Sequence, residues 1–230
     1  MEQETLSPRA EKAREAYLSN LFVAERTTKK PIVVAMIGLV GSGKSSVAKE
    51  LAPLIGASVI VEDGIRVALR MQGEPYKYAR RIAHTVAAEV LQRGANIILD
   101  ADYVTEGKRV ALQEEVGKVG AQLAFLATHM EDPVVMFGRM LIAPYQKSPD
   151  DFFGGAKTAW QEGSEQQTGA AIKIKEAWRR TPHHYNWVNE GGGRWEIKDP
   201  PCPVVADIDT TDPEKWKEEV QKVAERLNLL

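Results

Sequence analysis

The sequence is poor in cysteine: Cys202 is the only one in 230 residues. A single thiol excludes an internal disulfide, and no Cys/His set has the spacing of a zinc site. A reducing, cytoplasmic setting is the resulting expectation. Long apolar runs are missing too. The longest, from Ile32 to Val40, is far too short to span a bilayer. The opening Met1-Glu2-Gln3-Glu4 is acidic where a secretory signal needs a basic start. Nor does either sign of charge prevail. Thirty Lys and Arg against 32 Asp and Glu give a net −2, which removes any global electrostatic case for nucleic acid or an anionic membrane as the main partner. Any basic patch must be local.

What remains is ordinary in composition, with 43% hydrophobic and 27% charged residues, enough for one α/β domain and an inserted subdomain. Ser7-Pro8 reads as a helix start, with the helix running to about Glu25. Ile32-Val33-Val34-Ala35-Met36-Ile37 reads as a strand buried on both faces. Strands and helices then alternate: helix 46–54, strand 57–61, helices 65–71 and 78–93, strand 96–99, helix 106–119 and strand 121–128. Asp132-Pro133 caps a helix to Ile142, which Pro144 stops. This rhythm predicts a parallel sheet between helical layers. After Pro144 it breaks. Asp150, Asp151, Gly154 and Gly155 suggest a loop, and a helical stretch covers 170–180. Residues 186–188 and 194–197 flank a glycine run as a hairpin. Residues 203–208 form the last strand, and Asp212-Pro213 caps a final helix. The expected divisions are 1–30, an N-terminal helix and linker; 31–143, the core; 144–200, a lid or insertion; and 201–230, the last strand and helix.

Gly38-Leu39-Val40-Gly41-Ser42-Gly43-Lys44-Ser45 fits G-x-x-x-x-G-K-[ST], between a buried strand and an amphipathic helix. The chemistry explains the spacing. Glycines let the backbone curl so that successive N–H groups face phosphate oxygens, and the helix N-terminus adds partial positive charge. Gly38, Gly41, Ser42, Gly43, Lys44, Ser45 and Ser46 are therefore the candidate ATP-binding residues. Lys44 would reach the β- and γ-phosphates, and Ser45 would be a ligand of Mg²⁺. No Asn-Lys-x-Asp occurs after a later strand, so guanine recognition of the GTPase kind is not expected. No Leu-Ser-Gly-Gly of the ABC kind is present. Asp151-Phe152-Phe153-Gly154 fits D-x-x-G by chance, since it lies in the irregular segment.

A second constellation stands at later strand ends. Strand two ends Val61-Glu62-Asp63, with Arg66 three residues on. Carboxyl ends of parallel strands line the ligand crevice, so Asp63 can take a proton from an acceptor and Arg66 can hold an acceptor anion. If Asp63 caps a helix starting at Gly64, Arg66 falls in its first turn, close to the same crevice. Strand three ends Ile98-Leu99-Asp100, a second candidate ligand of Mg²⁺, with Asp102 suited equally to a turn or to the acceptor. Arg66, Arg70, Lys77, Arg80 and Arg81 cluster between these strands and suit an anionic acceptor, with a solvated face as the alternative, favoured for Lys77 and Arg81. Trp160, Trp178, Trp187 and Trp195 read more readily as the core of the insertion than as a stacking site. His183-His184 lacks companion metal ligands, and His129 reads as a core or crevice residue.

The loop from Gly38 to Ser45, Asp63-x-x-Arg66, and Ile98-Leu99-Asp100-Ala101-Asp102 with Arg109 downstream resemble the P-loop kinases related to polynucleotide 5′-kinases and zeta toxins. More remotely they are similar to adenylate and shikimate kinases. The resemblance covers about 31–142 and, more weakly, 204–212. It implies a three-layer P-loop fold with a five-stranded, mostly parallel sheet and an insertion before the last strand. It further implies ATP as donor, Asp63 as base, Arg66 as acceptor ligand and an arginine-bearing lid after strand four. Arg139 stands at the lid position, but Met140-Leu141-Ile142-Ala143-Pro144 beyond it is apolar, which leaves Arg179 and Arg180 as alternatives. The expected activity is Mg-ATP-dependent transfer of the γ-phosphate to a hydroxyl or phosphate of a small-molecule or nucleotide-like acceptor, an anionic one by the arginines. A polynucleotide end is disfavoured by the net charge. The rival expectation is an ATP-binding or ATPase regulatory module with no small-molecule acceptor.

Overall fold

In the computed structural model, which describes residues 5–141, 168–191, 193–199 and 202–229, the run Ile32–Ile37 forms β1 and is buried at every position. In chain order the first half holds α1 (Pro8–Ser19), β1, α2 (Lys44–Ile55), β2 (Ala57–Val61), α3 (Glu62–Met71), α4 (Ala79–Gln92) and β3 (Asn96–Asp100). Then come α5 (Glu106–Lys118), β4 (Gln122–His129), α6 (Pro133–Leu141), α7 (Thr168–His184), β5 (Tyr185–Val188), β6 (Arg194–Ile197), β7 (Ala206–Asp209) and α8 (Lys215–Leu229).

Five strands pair in parallel in the order β2-β3-β1-β4-β7. Side chains alternate across a strand, so β1 feeds two cores. Val33, Ala35 and Ile37 pack under α1, α3, α4 and α5. Ile32, Val34 and Met36 pack under α2 and α8, with Leu51, Val220, Val223 and Leu227. This is the expected three-layer P-loop NTPase fold, and its crossovers bring the carboxyl ends of β1, β2, β3 and β4 to one edge. Asn96, fully buried, fastens the opposite edge. Its carboxamide oxygen accepts from Ile32 N at 3.0 Å, and its nitrogen donates to Ile55 O at 2.6 Å.

Several boundaries differ from the sequence expectation for local reasons. Ser7 does cap α1, accepting from Ala10 N at 3.0 Å, but the helix stops at Ser19 rather than near Glu25. There Ser19 Oγ and Asn20 Nδ2 both donate to Ala16 O, diverting a last-turn carbonyl from the helix. The chain then runs extended to Ser58, whose hydroxyl accepts from Ala24 N. α3 begins directly from β2, so Val61 is its cap and Glu62 and Asp63 lie in its first turn. Asp63 is therefore not the helix cap. Carboxylates in that turn are stabilised by the N-terminal end of the helix dipole.

α6 and α7 pack together over the crevice edge, where Met136, Met140 and Ala177 meet Val40 of the phosphate loop. The hairpin β5–β6 forms as expected, with Trp187 opposite Trp195 and their rings edge to face at 5.1 Å. Trp178 departs from the expected insertion core, being 80% exposed. Trp160, Pro144, the loop from Asp150 to Gly155 and the helix end at Ile142 lie outside the described residues.

Candidate active site

The phosphate loop joins β1 to α2 and is held from below by two threonines. Ser42 is fully buried, and its hydroxyl lies 2.7 Å from that of Thr128 on β4. Thr210, just after β7, donates to Ser42 O at 3.0 Å and through its own N–H to His129 O. These contacts leave no room at two glycines. A Cβ on Gly38 would come within 2.5 Å of Thr128 O, and one on Gly43 within 2.8 Å of Thr210. Gly43 also has φ +87°, a left-handed value that favours glycine.

Gly43 is the N-cap of α2, and no side chain caps that helix. The first-turn N–H groups of Lys44, Ser45 and Ser46 are thus presented to the crevice, the arrangement that binds anions at a helix start. Lys44 folds back over the loop, donating to Gly38 O at 2.8 Å and Leu39 O at 2.7 Å. Burial pushes its ammonium below the usual lysine range, against the fields of Asp102 and Asp100. Ser45 is exposed at the crevice and hydrogen-bonds to Asp100 at the end of β3. Burial raises the Asp100 carboxyl above the ordinary range despite that bond and the nearby Lys44. Asp100 and Ser45 together offer only oxygen donors, which suits a hard cation such as Mg²⁺. Among the described residues no group of three or more His, Cys, Asp or Glu forms a metal cage. A divalent ion here would complete its shell with phosphate oxygens and water.

The β2–α3 corner carries the second group. Tyr17 of α1 positions it: Val61 N donates to the phenol oxygen at 2.8 Å. Glu62, only 5% exposed, takes Arg66 on one oxygen at 2.5 Å and Arg80 of α4 on the other at 2.9 Å. Burial alone would raise its carboxyl, but Arg80 and Arg66 outweigh that and hold it below the usual range. Arg66 also pairs with Asp63 at 2.5 Å, so one guanidinium bridges both carboxylates. Arg66 therefore sits at the corner as predicted, but as an organiser of two acids. Arg70 lies one turn farther along, in the last turn of α3.

The β3–α5 corner is the third part. Asp102, half-buried, accepts from Arg180 of α7 at 2.9 Å, and Lys108 Nζ donates to Asp102 O at 3.1 Å. Arg80 stacks over the buried ring of Tyr103, 5.1 Å from its centroid, and His84 Nε2 lies 3.1 Å from the phenol oxygen. Arg109, 4% exposed, donates to Tyr103 O and Val104 O and so builds the loop from inside. Arg139 points to the far side of the phosphate loop, donating to Thr211 O at 3.1 Å. Of the lid alternatives, Arg180 reaches the site, whereas Arg179 is exposed beside it. His129 forms an edge pair with Asp207 at 2.7 Å, and that hydrogen bond raises its imidazole above the ordinary range.

Lys44, Ser45, Asp100, Asp63 and Arg66 are thus gathered at one sheet edge, and Arg139 lies to one side. Sequence reasoning passed over Glu62, Tyr17, Thr128, Thr210 and Lys108. Glu62 and Thr128 had a signal, since both stand at carboxyl ends of strands. Tyr17 and Thr210 had none, because their contacts join segments 44 and 168 residues apart.

A protein-family profile described as an AAA domain matches residues 33–135. No curated protein matches the chain. Among solved structures, a Chloroflexus aurantiacus protein provisionally named a kinase is similar over 86% of this chain and 100% of its own, with 16% identity and a TM-score of 0.56. The APS kinase of Mycobacterium tuberculosis in complex with AMPPNP and APS is similar over 85% and 98%, with 14% identity and a TM-score of 0.50. A gluconokinase from Sinorhizobium meliloti 1021 shares 19% identity over 89% and 96%, with a TM-score of 0.47. At these identities the likeness is one of fold alone.

Proposed function

We propose that this chain is a Mg-ATP-dependent phosphotransferase that moves the γ-phosphate to a hydroxyl or phosphate of a small-molecule or nucleotide-like acceptor. One observation carries the reading. Lys44, on an uncapped helix start, lies in the combined field of Asp102, Asp100, Arg180 and Asp63, contributed by two corners of one crevice and by α7. A loop serving phosphate binding alone would not need acids on two neighbouring corners. The AMPPNP complex of the similar APS kinase favours ATP as donor.

In this reading Lys44 exchanges the carbonyls of Gly38 and Leu39 for β- and γ-phosphate oxygens, and the N–H groups of the loop and of Ser45 and Ser46 hold the rest. Ser45 and Asp100 would hold Mg²⁺, which neutralises charge on the β- and γ-phosphates. With a hydroxyl acceptor, its oxygen bonds to the γ-phosphorus as the bond to the β–γ bridging oxygen breaks. Asp63, oriented by Arg66, takes the hydroxyl proton, and ADP leaves. Positioning and charge neutralisation supply most of the acceleration. Residues 31–143 then form the catalytic core and 144–200 a lid or insertion. Arg180 supplies its cation, with Arg139 steadying α6. The test is transfer from γ-³²P-ATP into fractionated acceptor pools. Labelled acceptor supports the proposal; phosphate release unaffected by any pool would favour a regulatory ATPase instead.

A further inference from the structure

Tyr17 belongs to the helix ahead of the phosphate loop, yet it bonds to the residue from which α3 departs. Its hydroxyl accepts from Val61 N at 2.8 Å and donates to Val61 O at 3.4 Å. Val61 closes β2 and is the N-cap of α3, so Glu62 and Asp63 follow it directly. β2 is the outer strand of its sheet, with β3 on one side only. The phenol therefore stands where a further strand would bond, and it satisfies a main-chain donor and acceptor of that edge.

The ring is fitted as closely as the hydroxyl. A Cβ on Gly64 would lie 3.2 Å from Tyr17 Cε2, so α3 meets the ring one residue beyond Asp63. Glycine is a poor helix former, and its place in the first turn of α3 follows from this contact rather than from propensity. α1 is itself anchored away from the corner. Ala10 and Ala13 are fully buried in the core, and Arg14 pairs with Glu89 of α4 at 3.1 Å. The stretch after α1 is tied to β2 again, where Ala24 N donates to Ser58 Oγ at 3.1 Å. Burial pushes the phenol up to about 12, so it keeps its proton at neutral pH.

Held on one side and bonded on the other, Tyr17 sets the angle at which α3 leaves β2. We propose that Tyr17 is a positioning residue for phosphoryl transfer, fixing the β2–α3 corner so that the Asp63 carboxylate faces the acceptor hydroxyl. The proposal rests on the kinase reading above and adds α1 to the elements that serve the reaction. A misplacement of about 1 Å at a reacting group costs up to about a hundredfold in rate, so one lost anchor at this corner is enough to be seen.

The test compares the wild type, Tyr17→Phe, Asp63→Asn and the double variant in transfer from γ-³²P-ATP to an acceptor fraction. Tyr17→Phe is expected to lower kcat about tenfold with KM for Mg-ATP unchanged, because the phosphate loop is untouched. Added to Asp63→Asn it is expected to cause no further loss, since it acts through that carboxylate. Gly64→Ala approaches the same contact from α3 with a better helix former, and should lower kcat in the same direction. Ser7→Ala is the control. It uncaps α1 and should lower the melting temperature by about 2–4 °C while leaving kcat unchanged. Hydrogen exchange needs no turnover: Tyr17→Phe should speed it about tenfold over 61–64 and leave 38–46 as in the wild type.

Wild-type kcat in folded Tyr17→Phe, or in Gly64→Ala should Tyr17→Phe not fold, would overturn the proposal. So would a full further loss in the double variant, or an equal loss of kcat in Ser7→Ala, which would mean a general loosening of α1. A wild type that labels no fraction would sink the kinase reading and this proposal with it. Unchanged exchange over 61–64 beside normal wild-type transfer would sink this proposal alone.

Discussion

The buried hydroxyls of Ser42 and Thr128 lie 2.7 Å apart and join the phosphate loop to the end of β4. Ser42→Ala leaves the Thr128 hydroxyl buried with only a long contact to Ile37 O at 3.5 Å. The expected cost is about 1–3 kcal/mol of stability in urea unfolding. Adding Thr128→Val to Ser42→Ala should recover part of it, since removing both partners leaves no orphan. A double mutant weaker than the sum of the single losses would contradict this pairing.

Asp63→Asn separates chemistry from stability. Asn keeps the shape but cannot take a proton, so Mg-ATP affinity should persist while kcat for transfer falls by about two orders of magnitude or more. Because Asp63 lies in the first turn and does not cap α3, and its pair with Arg66 is partly exposed, unfolding should shift by about 1 kcal/mol or less. Full transfer with a lowered melting temperature would make Asp63 a structural residue.

Glu62 should behave in the opposite way. Glu62→Gln leaves two arginines facing a neutral amide at a buried position, and breaking such a network costs on the order of 3 kcal/mol. A change of less than about 1 kcal/mol in denaturant unfolding would show that the two arginines find other partners. The wild-type contribution, resting on a depressed carboxyl, is present above the unfolded pKa and lost as pH falls through the folded value.

His84 sets a separate acid limb. Burial first, and Arg80 next, push its imidazole down to about 4, so the unfolded chain binds a proton before the folded one does. Stability should therefore fall as pH drops from about 6.5 toward 4, by up to about 3 kcal/mol in all, and level off below. His84→Gln should flatten that window relative to the wild type in urea titrations at successive pH values. The same slope in both proteins would assign the limb to other groups.

The legible parts of the molecule were local ones. Ile32–Ile37, the glycines of the loop, Lys44, and Asp100 at a strand end each announce themselves within a few residues. Periodicity and spacing therefore placed the sheet, the crevice edge and most of the candidate site. What the sequence hid was pairing across the fold. Nothing near Arg66 tells that it shares Glu62 with Arg80, and nothing near Asp102 points to Arg180, 78 residues away. The basic cluster read as one anion site is in fact divided. Arg66 organises two acids, and Arg80 serves both Glu62 and the Tyr103 ring. Helix ends failed where a side chain intervened, as Asn20 does after α1.

The most direct test of the central claim is Mg-ATP turnover by Lys44→Ala beside the wild type, with a labelled acceptor fraction present. Lys44 makes its contacts with Gly38 O and Leu39 O at the crevice rather than in the hydrophobic core, so the fold should survive its truncation. Turnover is predicted to fall by roughly a hundredfold or more, the scale for losing one preorganised charge contact to the transferring group. Wild-type turnover in a folded Lys44→Ala protein would contradict the assignment of this loop as the phosphate-binding element of a phosphotransferase.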